Sequence, residues 1–308
     1  MTEMGVSFSL HRCSELGLDK KELLTAAIKV LKFRRFRLMS YWNIHEQRRG
    51  VYDFRELDWQ LDLIAKHGGA VSLCLGKRQP RWPECHMPDW AAKLPNEEWR
   101  KALQNYIEQV VNRYKNHPAL SSWQLENEAL LKEFGYCPDG DYSRRRFRTE
   151  LTLVKKLDPN HPVVMTLSDS WGFPFRRPKP DVYAMSLYRI TINKAGIYAF
   201  SKRPKLFYRL RAAFIQLFKN RNTFIHELQA EPWLKDAITK VSVDEQLRYM
   251  SPEILQETID FAQQTGMNPI DLWGLEWWFW LKKSHDKPEI WNIVKELQRE
   301  QLRLSMQS

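Results

Sequence analysis

Trp123-Gln124-Leu125-Glu126-Asn127-Glu128 is a short β-prone run ending in carboxylates, and Phe224-Ile225-His226-Glu227-Leu228-Gln229 is a second of the same kind. Each follows a segment whose apolar residues recur at helical spacing, the arrangement of strands in a chain that alternates β and α. If both strands stand in one parallel barrel, their carboxyl ends open on the same face. Two glutamates then confront each other across one pocket.

The chain on either side repeats the alternation. Val6 to Ser9 reads as a first strand, and Asp19-Lys20-Lys21-Glu22 offers an N-cap with a glutamate three residues on, ahead of Leu23, Leu24, Ala27, Ile28 and Leu31. Phe36 to Ser40 is strand two. The stripe Leu57, Leu61, Ile64 runs to Gly68-Gly69, and Ala70 to Leu75 is strand three. A helix capped by Asn96 stops before Pro118 and delivers strand four, Leu120 to Glu128. A helix through Phe147, Leu151 and Val154 leads into strand five, Val163 to Leu167, and strand six, Val182 to Tyr188, follows so soon that helix five is expected to be reduced or lost.

Residues 190–222 form an insertion between strands six and seven. Its stretch Lys205 to Lys219 carries Leu206, Leu210, Ala213, Phe214, Leu217 and Phe218 on one face and mostly basic residues elsewhere. A sixth barrel helix packed on the sheet is the expectation, and a membrane-surface helix is the alternative. Strand seven ends at Glu227, Ser251-Pro252-Glu253 caps a helix closed by Gly266, Leu272 to Trp278 makes strand eight, and Pro288 to Leu297 a final helix. Eight alternations with no break in composition predict an α/β fold, one (β/α)8 TIM barrel over residues 1–308 as a single catalytic domain.

Composition narrows the class. No apolar run approaches the roughly 20 residues that cross a bilayer, and Met1-Thr2-Glu3-Met4-Gly5 lacks the basic-then-apolar pattern of a signal peptide, which predicts a cytoplasmic protein unless residues are missing ahead of it. Cys13, Cys74, Cys85 and Cys137 are too few and too scattered for a disulfide framework, so free thiols are expected. A metal site from Cys85, His86 and Cys137 is the alternative, but zinc spacing is absent and no metal or cofactor is expected. The net charge of +11 is read as a solvated basic surface, with attraction to an anionic polymer as the alternative, and no nucleic-acid motif accompanies it.

The residues that end the strands form a set: Arg37, the Arg78 to His86 segment, Asn127 and Glu128, Ser168-Asp169, Tyr188, Glu227 and Trp277-Trp278. Cleaving a glycosidic bond with retention needs one carboxylic acid to protonate the leaving oxygen and one carboxylate to attack the anomeric carbon, about 5 to 5.5 Å apart. The more buried of two such carboxyls keeps its proton, and the other stays charged when an Arg and a Tyr hold it. Glu126 is an alternative acid, since it alternates onto the same side of a strand as Glu128; Glu231 is an alternative nucleophile. Tyr188 as a core aromatic and Arg37 as the partner of a structural acid are the structural alternatives.

Trp-Gln-Leu-Glu-Asn-Glu and Ile-His-Glu-Leu-Gln-Ala-Glu-Pro-Trp, together with Phe-Arg-Leu at strand two and Gly274-Leu275-Glu276-Trp277-Trp278 at strand eight, resemble the signatures of the clan A glycoside hydrolases. Within the clan the chain looks closest to families 5, 39 and 42. It departs from family 5 at Ser186-Leu187-Tyr188, where a His commonly precedes the Tyr by two positions. The resemblance implies a retaining β-glycosidase working through a covalent glycosyl-enzyme on a carbohydrate substrate, with Glu128 as acid/base and Glu227 as nucleophile. It further implies that Asn127 binds the sugar 2-hydroxyl, that Arg37 and Tyr188 hold and tune Glu227, and that Trp278 floors the sugar site. Arg78, His86, Trp82 and Trp171 are the loop candidates for sugar binding, and Trp90, Phe173 and Phe175 are placed on the same loops. A barrel that binds glycan or an anionic polymer without catalysis is the alternative function.

Overall fold

Eight strands form a closed parallel barrel: β1 (Met4–Ser7), β2 (Arg35–Met39), β3 (Ala70–Leu75), β4 (Leu120–Leu125), β5 (Val163–Leu167), β6 (Val182–Leu187), β9 (Thr223–Gln229) and β10 (Ile270–Trp273), each beside its neighbour in that order. Two further strands, β7 (Ile190–Ile192) and β8 (Tyr198–Phe200), pair antiparallel in a hairpin outside the barrel. This is the (β/α)8 architecture expected from the alternation. The computed structural model describes residues 2–129, 131, 137, 143–169, 178–193, 196–305 and 307.

By its internal contacts the chain divides into two units, Arg37–Ala184 and Met1–Phe36 with Met185–Ser308. In the first, β3 and β4 pair from Val71↔Leu120 to Leu75↔Leu125. The stripes read from sequence supply its core: Leu57, Leu61 and Ile64 on the helix Arg55–Lys66, and Leu103, Tyr106, Ile107 and Val110 on the helix Asn96–Tyr114, are all fully buried. Pro95, and not Asn96, is the N-cap of the second helix; Asn96 is its first residue and accepts from the Trp99 indole at 2.9 Å. Strand β4 stops at Leu125, three residues short of the expected end. Glu126 and Glu128 there take positive φ, +56° and +41°, which ends the extended backbone and cancels the strand alternation that would put both side chains on one side.

No helix lies among the described residues between β5 and β6; residues 170–177 are outside the description.

In the second unit Asp19 caps its helix through Lys21 and Glu22 as expected, and Ser251 caps Pro252–Gln263. Strand β9 runs two residues beyond Glu227. Its pairing with β10 goes from Ile225↔Ile270 to Leu228↔Leu272, one extra residue on β9. A bulge re-aims side chains, and this one spans His226 and Glu227. The predicted eighth strand divides: β10 ends at Trp273, Gly274 takes φ +149°, and Leu275–Ser284 is helical. A Cβ on Gly274 would meet the Ala230 carbonyl oxygen at 2.6 Å, so the aromatic run Trp277-Trp278-Phe279, β-prone by composition, turns into a buried helix at a residue only glycine fills.

Candidate active site

In the unit Arg37–Ala184, the end of β4 is organised by Asn127. Its Oδ1 accepts from the Arg37 guanidinium at 2.9 Å, from Gln124 Nε2 at 3.2 Å and from Thr166 Oγ1 at 3.2 Å, while its amide nitrogen donates to the Glu84 carboxylate at 3.1 Å. Arg37 also donates to Gln124 Oε1 at 2.6 Å. The Glu128 backbone N–H donates to Thr166 Oγ1 at 2.7 Å, so strands β2 and β5 both fix the Asn127-Glu128 pair. All of these groups are buried, which makes each bond geometrically specific.

Glu126 does something else. Its carboxylate accepts from the backbone N–H groups of Lys77 (3.0 Å) and Arg78 (2.9 Å) and from the Arg146 guanidinium (2.8 Å), all out of water. Gly76, at φ +107°, lets the loop come this close, since a Cβ there would lie 2.5 Å from Glu126 Oε1. Three donors leave Glu126 a loop-anchoring carboxylate. Arg146, from the helix Arg144–Leu157, also holds Glu150 at 2.5 Å.

Burial pushes the Glu150 carboxyl up to about 7, with Glu126 adding to the shift and Arg146 opposing it. Its folded value lies above its ordinary 4.5, so its stabilising contribution is whole below about pH 4.5 and is lost as pH rises through 7. Glu150→Gln is therefore expected to lose less melting temperature than the wild type between pH 5 and pH 8. Thermal unfolding at the two pH values measures this, and equal losses in both proteins would reject it.

In the other unit, Glu227 accepts from the Tyr188 hydroxyl at 3.0 Å. Tyr188 stands edge-on to Trp233, with ring centroids 5.3 Å apart. Gln229, two residues past Glu227, accepts from the N–H groups of Arg189 and Ile190, both at 2.9 Å, and so fixes the chain just beyond Tyr188. His226 turns instead to Asp271, which also binds Arg35 at 2.7 Å. Glu231 pairs with Arg12 at 3.1 Å, and Glu276 accepts from the Ser9 backbone at 2.6 Å. Trp278 is fully buried on the helix after β10, its indole N–H donating to the Ala230 carbonyl at 2.6 Å.

Burial does not distinguish the two glutamates, since Glu128 is 7% and Glu227 6% exposed. The Glu227 carboxylate accepts from a phenol, and the Glu128 backbone is fixed by Thr166.

The loop Arg78 to His86 folds back on itself, with Arg78 bridged to Cys85 and the Glu84 carbonyl accepting from Gln79 N–H at 2.9 Å. Arg78 donates to the backbone carbonyls of Glu128 (3.3 Å) and Leu131 (2.8 Å), contacts that position the acid-bearing segment. His86 packs on Tyr41 at 4.4 Å, and its Nε2 pairs with the Arg81 carbonyl. Trp82 projects from the turn, 67% exposed. Trp90 donates to the Glu46 carbonyl at 2.8 Å. Trp171, Phe173 and Phe175 lie outside the described residues.

Cys85 and Cys137 form a disulfide, correcting the expectation of four free thiols; Cys13 and Cys74 are buried thiols outside it. The two partners are 52 residues apart in sequence. The bond also takes up both thiolates on which the Cys85, His86, Cys137 metal site depended. Glu84 and Trp233 were missed. Glu84 has no sequence signal beyond being an acid in a dense loop, whereas Trp233 stands in the Glu-Pro-Trp that follows β9.

The sequence profile of the glycoside hydrolase 42 family, described as Beta-galactosidase, matches residues 20–175, half of the chain. The chain belongs to the glycoside hydrolase 42 family. Among relatives of this family 42 chain, the beta-galactosidase Bga of Halorubrum lacusprofundi is 26% identical over 151 residues, 44% of this chain and 21% of that protein. The mannan endo-1,4-beta-mannosidase F of Aspergillus clavatus is 29% identical over 110 residues, 33% of this chain and 24% of that one. The chain thus matches about a fifth to a quarter of the length of these curated relatives. A GH5_18 enzyme of Bifidobacterium longum, solved in complex with Manb1-4GlcNAc, superposes over 89% of this chain and 68% of its own with a TM-score of 0.62 at 14% identity. The Halorubrum lacusprofundi beta-galactosidase structure superposes over 88% of this chain and 52% of its own, with a TM-score of 0.56 at 14% identity. These likenesses are of fold.

Proposed function

We propose that this family 42 chain is a retaining β-glycosidase that hydrolyses β-linked glycosides by double displacement, with Glu227 as nucleophile and Glu128 as acid/base. The hydrogen bond from Tyr188 to Glu227 carries the reading, because a half-buried phenol donating to a buried carboxylate near a barrel strand's carboxyl end fixes the oxygens that would attack the sugar. In the first step Glu227 attacks the anomeric carbon, the bond to the leaving oxygen breaks, and Glu128 gives that oxygen its proton. In the second, Glu128 takes a proton from water, which attacks the anomeric carbon and releases Glu227. Asn127, fixed by Arg37, Gln124 and Thr166, presents its remaining capacity to the sugar 2-hydroxyl. Trp233 and Trp82 offer aromatic faces to sugar rings, Trp233 beside Tyr188 and Trp82 from its loop tip.

The family's description puts β-galactosides first among substrates, and the bound disaccharide of the Bifidobacterium enzyme puts β-mannosides second. The Cys85–Cys137 disulfide favours an oxidising compartment over the cytoplasm. A panel of aryl β-glycosides, with the anomer of the first-formed sugar followed by proton NMR, tests the proposal. The β-anomer is expected to appear first; the α-anomer first would mean inversion and reject the double displacement.

A further inference from the structure

We propose that the helix Lys205–Lys219, together with the β7–β8 hairpin before it, is a docking face that lies flat on an anionic lipid membrane. The helix has more apolar surface than its contacts use. Tyr208, Arg211 and Ile215 are its buried residues, a narrow stripe against the barrel, with Tyr208 edge-on to Phe261 at 5.8 Å. At 3.6 residues per turn Leu206, Leu210 and Leu217 fall on the opposite side. They are 59%, 59% and 77% exposed, with Phe218 at 61%. Ile197 and Phe200 of the hairpin add two more large apolar side chains in water, at 63% and 62%. A surface helix ordinarily turns one apolar stripe to the core and a polar one outward, so a second apolar stripe in water marks a surface that is covered in use.

Charge identifies what covers it. Between residues 189 and 221 the sequence holds nine Lys and Arg and not one Asp or Glu, and of these cations Arg211 is turned to the barrel. Lys205 and Arg209 bind the neutral Gln264, through its side chain and its backbone carbonyl, bonds that leave their charge uncancelled. Exposed leucine and phenylalanine bordered by lysine and arginine suit the boundary between headgroups and acyl chains, where apolar burial and attraction to anionic lipid add. A protein partner would need acids to match the segment, and a glycan or nucleic acid offers nothing for the leucines to enter. No helix among the described residues is long and apolar enough to cross a membrane. The exposed leucines bordered by cations suit a helix that lies in the surface plane.

Sedimentation of the full chain with vesicles tests this. The chain is expected to bind vesicles of phosphatidylglycerol with phosphatidylcholine, to bind pure phosphatidylcholine far less, and to release as salt is raised. Leu210→Glu with Leu217→Glu, both exposed, is expected to keep the wild-type melting profile and to lower the bound fraction at least about tenfold. In a separate variant, the emission of Leu217→Trp is expected to shift to the blue on anionic vesicles, read as the difference from wild type, which decides the matter even if the double variant folds poorly. Unchanged vesicle binding in the double variant would overturn the proposal, as would no binding at all. Self-association abolished by the double variant, without vesicle binding, would overturn it by assigning the face to a second copy of the chain.

Discussion

Glu227→Ala is expected to lower the hydrolysis of aryl β-glycosides by about 10⁴-fold or more, since removing a nucleophile closes the covalent route altogether. Azide is then expected to restore turnover and give the α-glycosyl azide, because the small anion enters the space left by the carboxylate and displaces the leaving group once. Glu128→Ala should fall less on substrates with good leaving groups, which need little proton donation, and azide should give the β-glycosyl azide. There the glycosyl-enzyme on Glu227 still forms, and azide makes the second of two displacements. The configuration of the two azide products, read by NMR, is a sharper test than the loss of rate, which misfolding would also produce. Turnover near wild type in either variant, or the same azide anomer from both, would end the assignment.

Arg146→Met is expected to cost about 3 to 5 kcal/mol of stability, because it leaves Glu126 and Glu150 buried without their common cation. The loss reaches the site. Glu126 holds the N–H groups of Lys77 and Arg78, and Arg78 in turn holds the carbonyl of Glu128. Adding Glu150→Gln to Arg146→Met should recover part of the stability above about pH 7, since a buried carboxyl that must otherwise take up a proton is then removed. Denaturant midpoints of the single and double variants measure both effects. A single-variant loss under about 1 kcal/mol would mean that water or a rearranged side chain reaches the pair.

The barrel was legible because its elements are written in local periodicity. The stripe Leu57, Leu61, Ile64 and the run Ala70 to Leu75 each fit one secondary structure, and the structure places them there. Where the reading failed, local preference met a constraint from elsewhere. Trp277 and Trp278 look like strand residues, yet Gly274 brings the chain against Ala230 and starts a helix. Glu126 and Glu128 look like alternate residues of one strand, yet their positive φ values separate them. The helix Lys205–Lys219 looks like one more barrel helix, and it does pack, but on Tyr208, Arg211 and Ile215 instead of on its leucines.

The sequence by itself determined the eight-fold alternation, the family-like runs that end in Glu128 and Glu227, and the concentration of positive charge between residues 189 and 221. These depend on residue type and on spacings of a few positions, which the linear order preserves. Only the tertiary structure decided that Glu126 is an anchor, that Glu84 meets Asn127, that Cys85 joins Cys137, and which stripe of a two-sided helix faces water. Each of those joins groups distant in sequence, or separates groups adjacent in it. Such contacts are set by where backbone and cavities come to lie once the strands have paired.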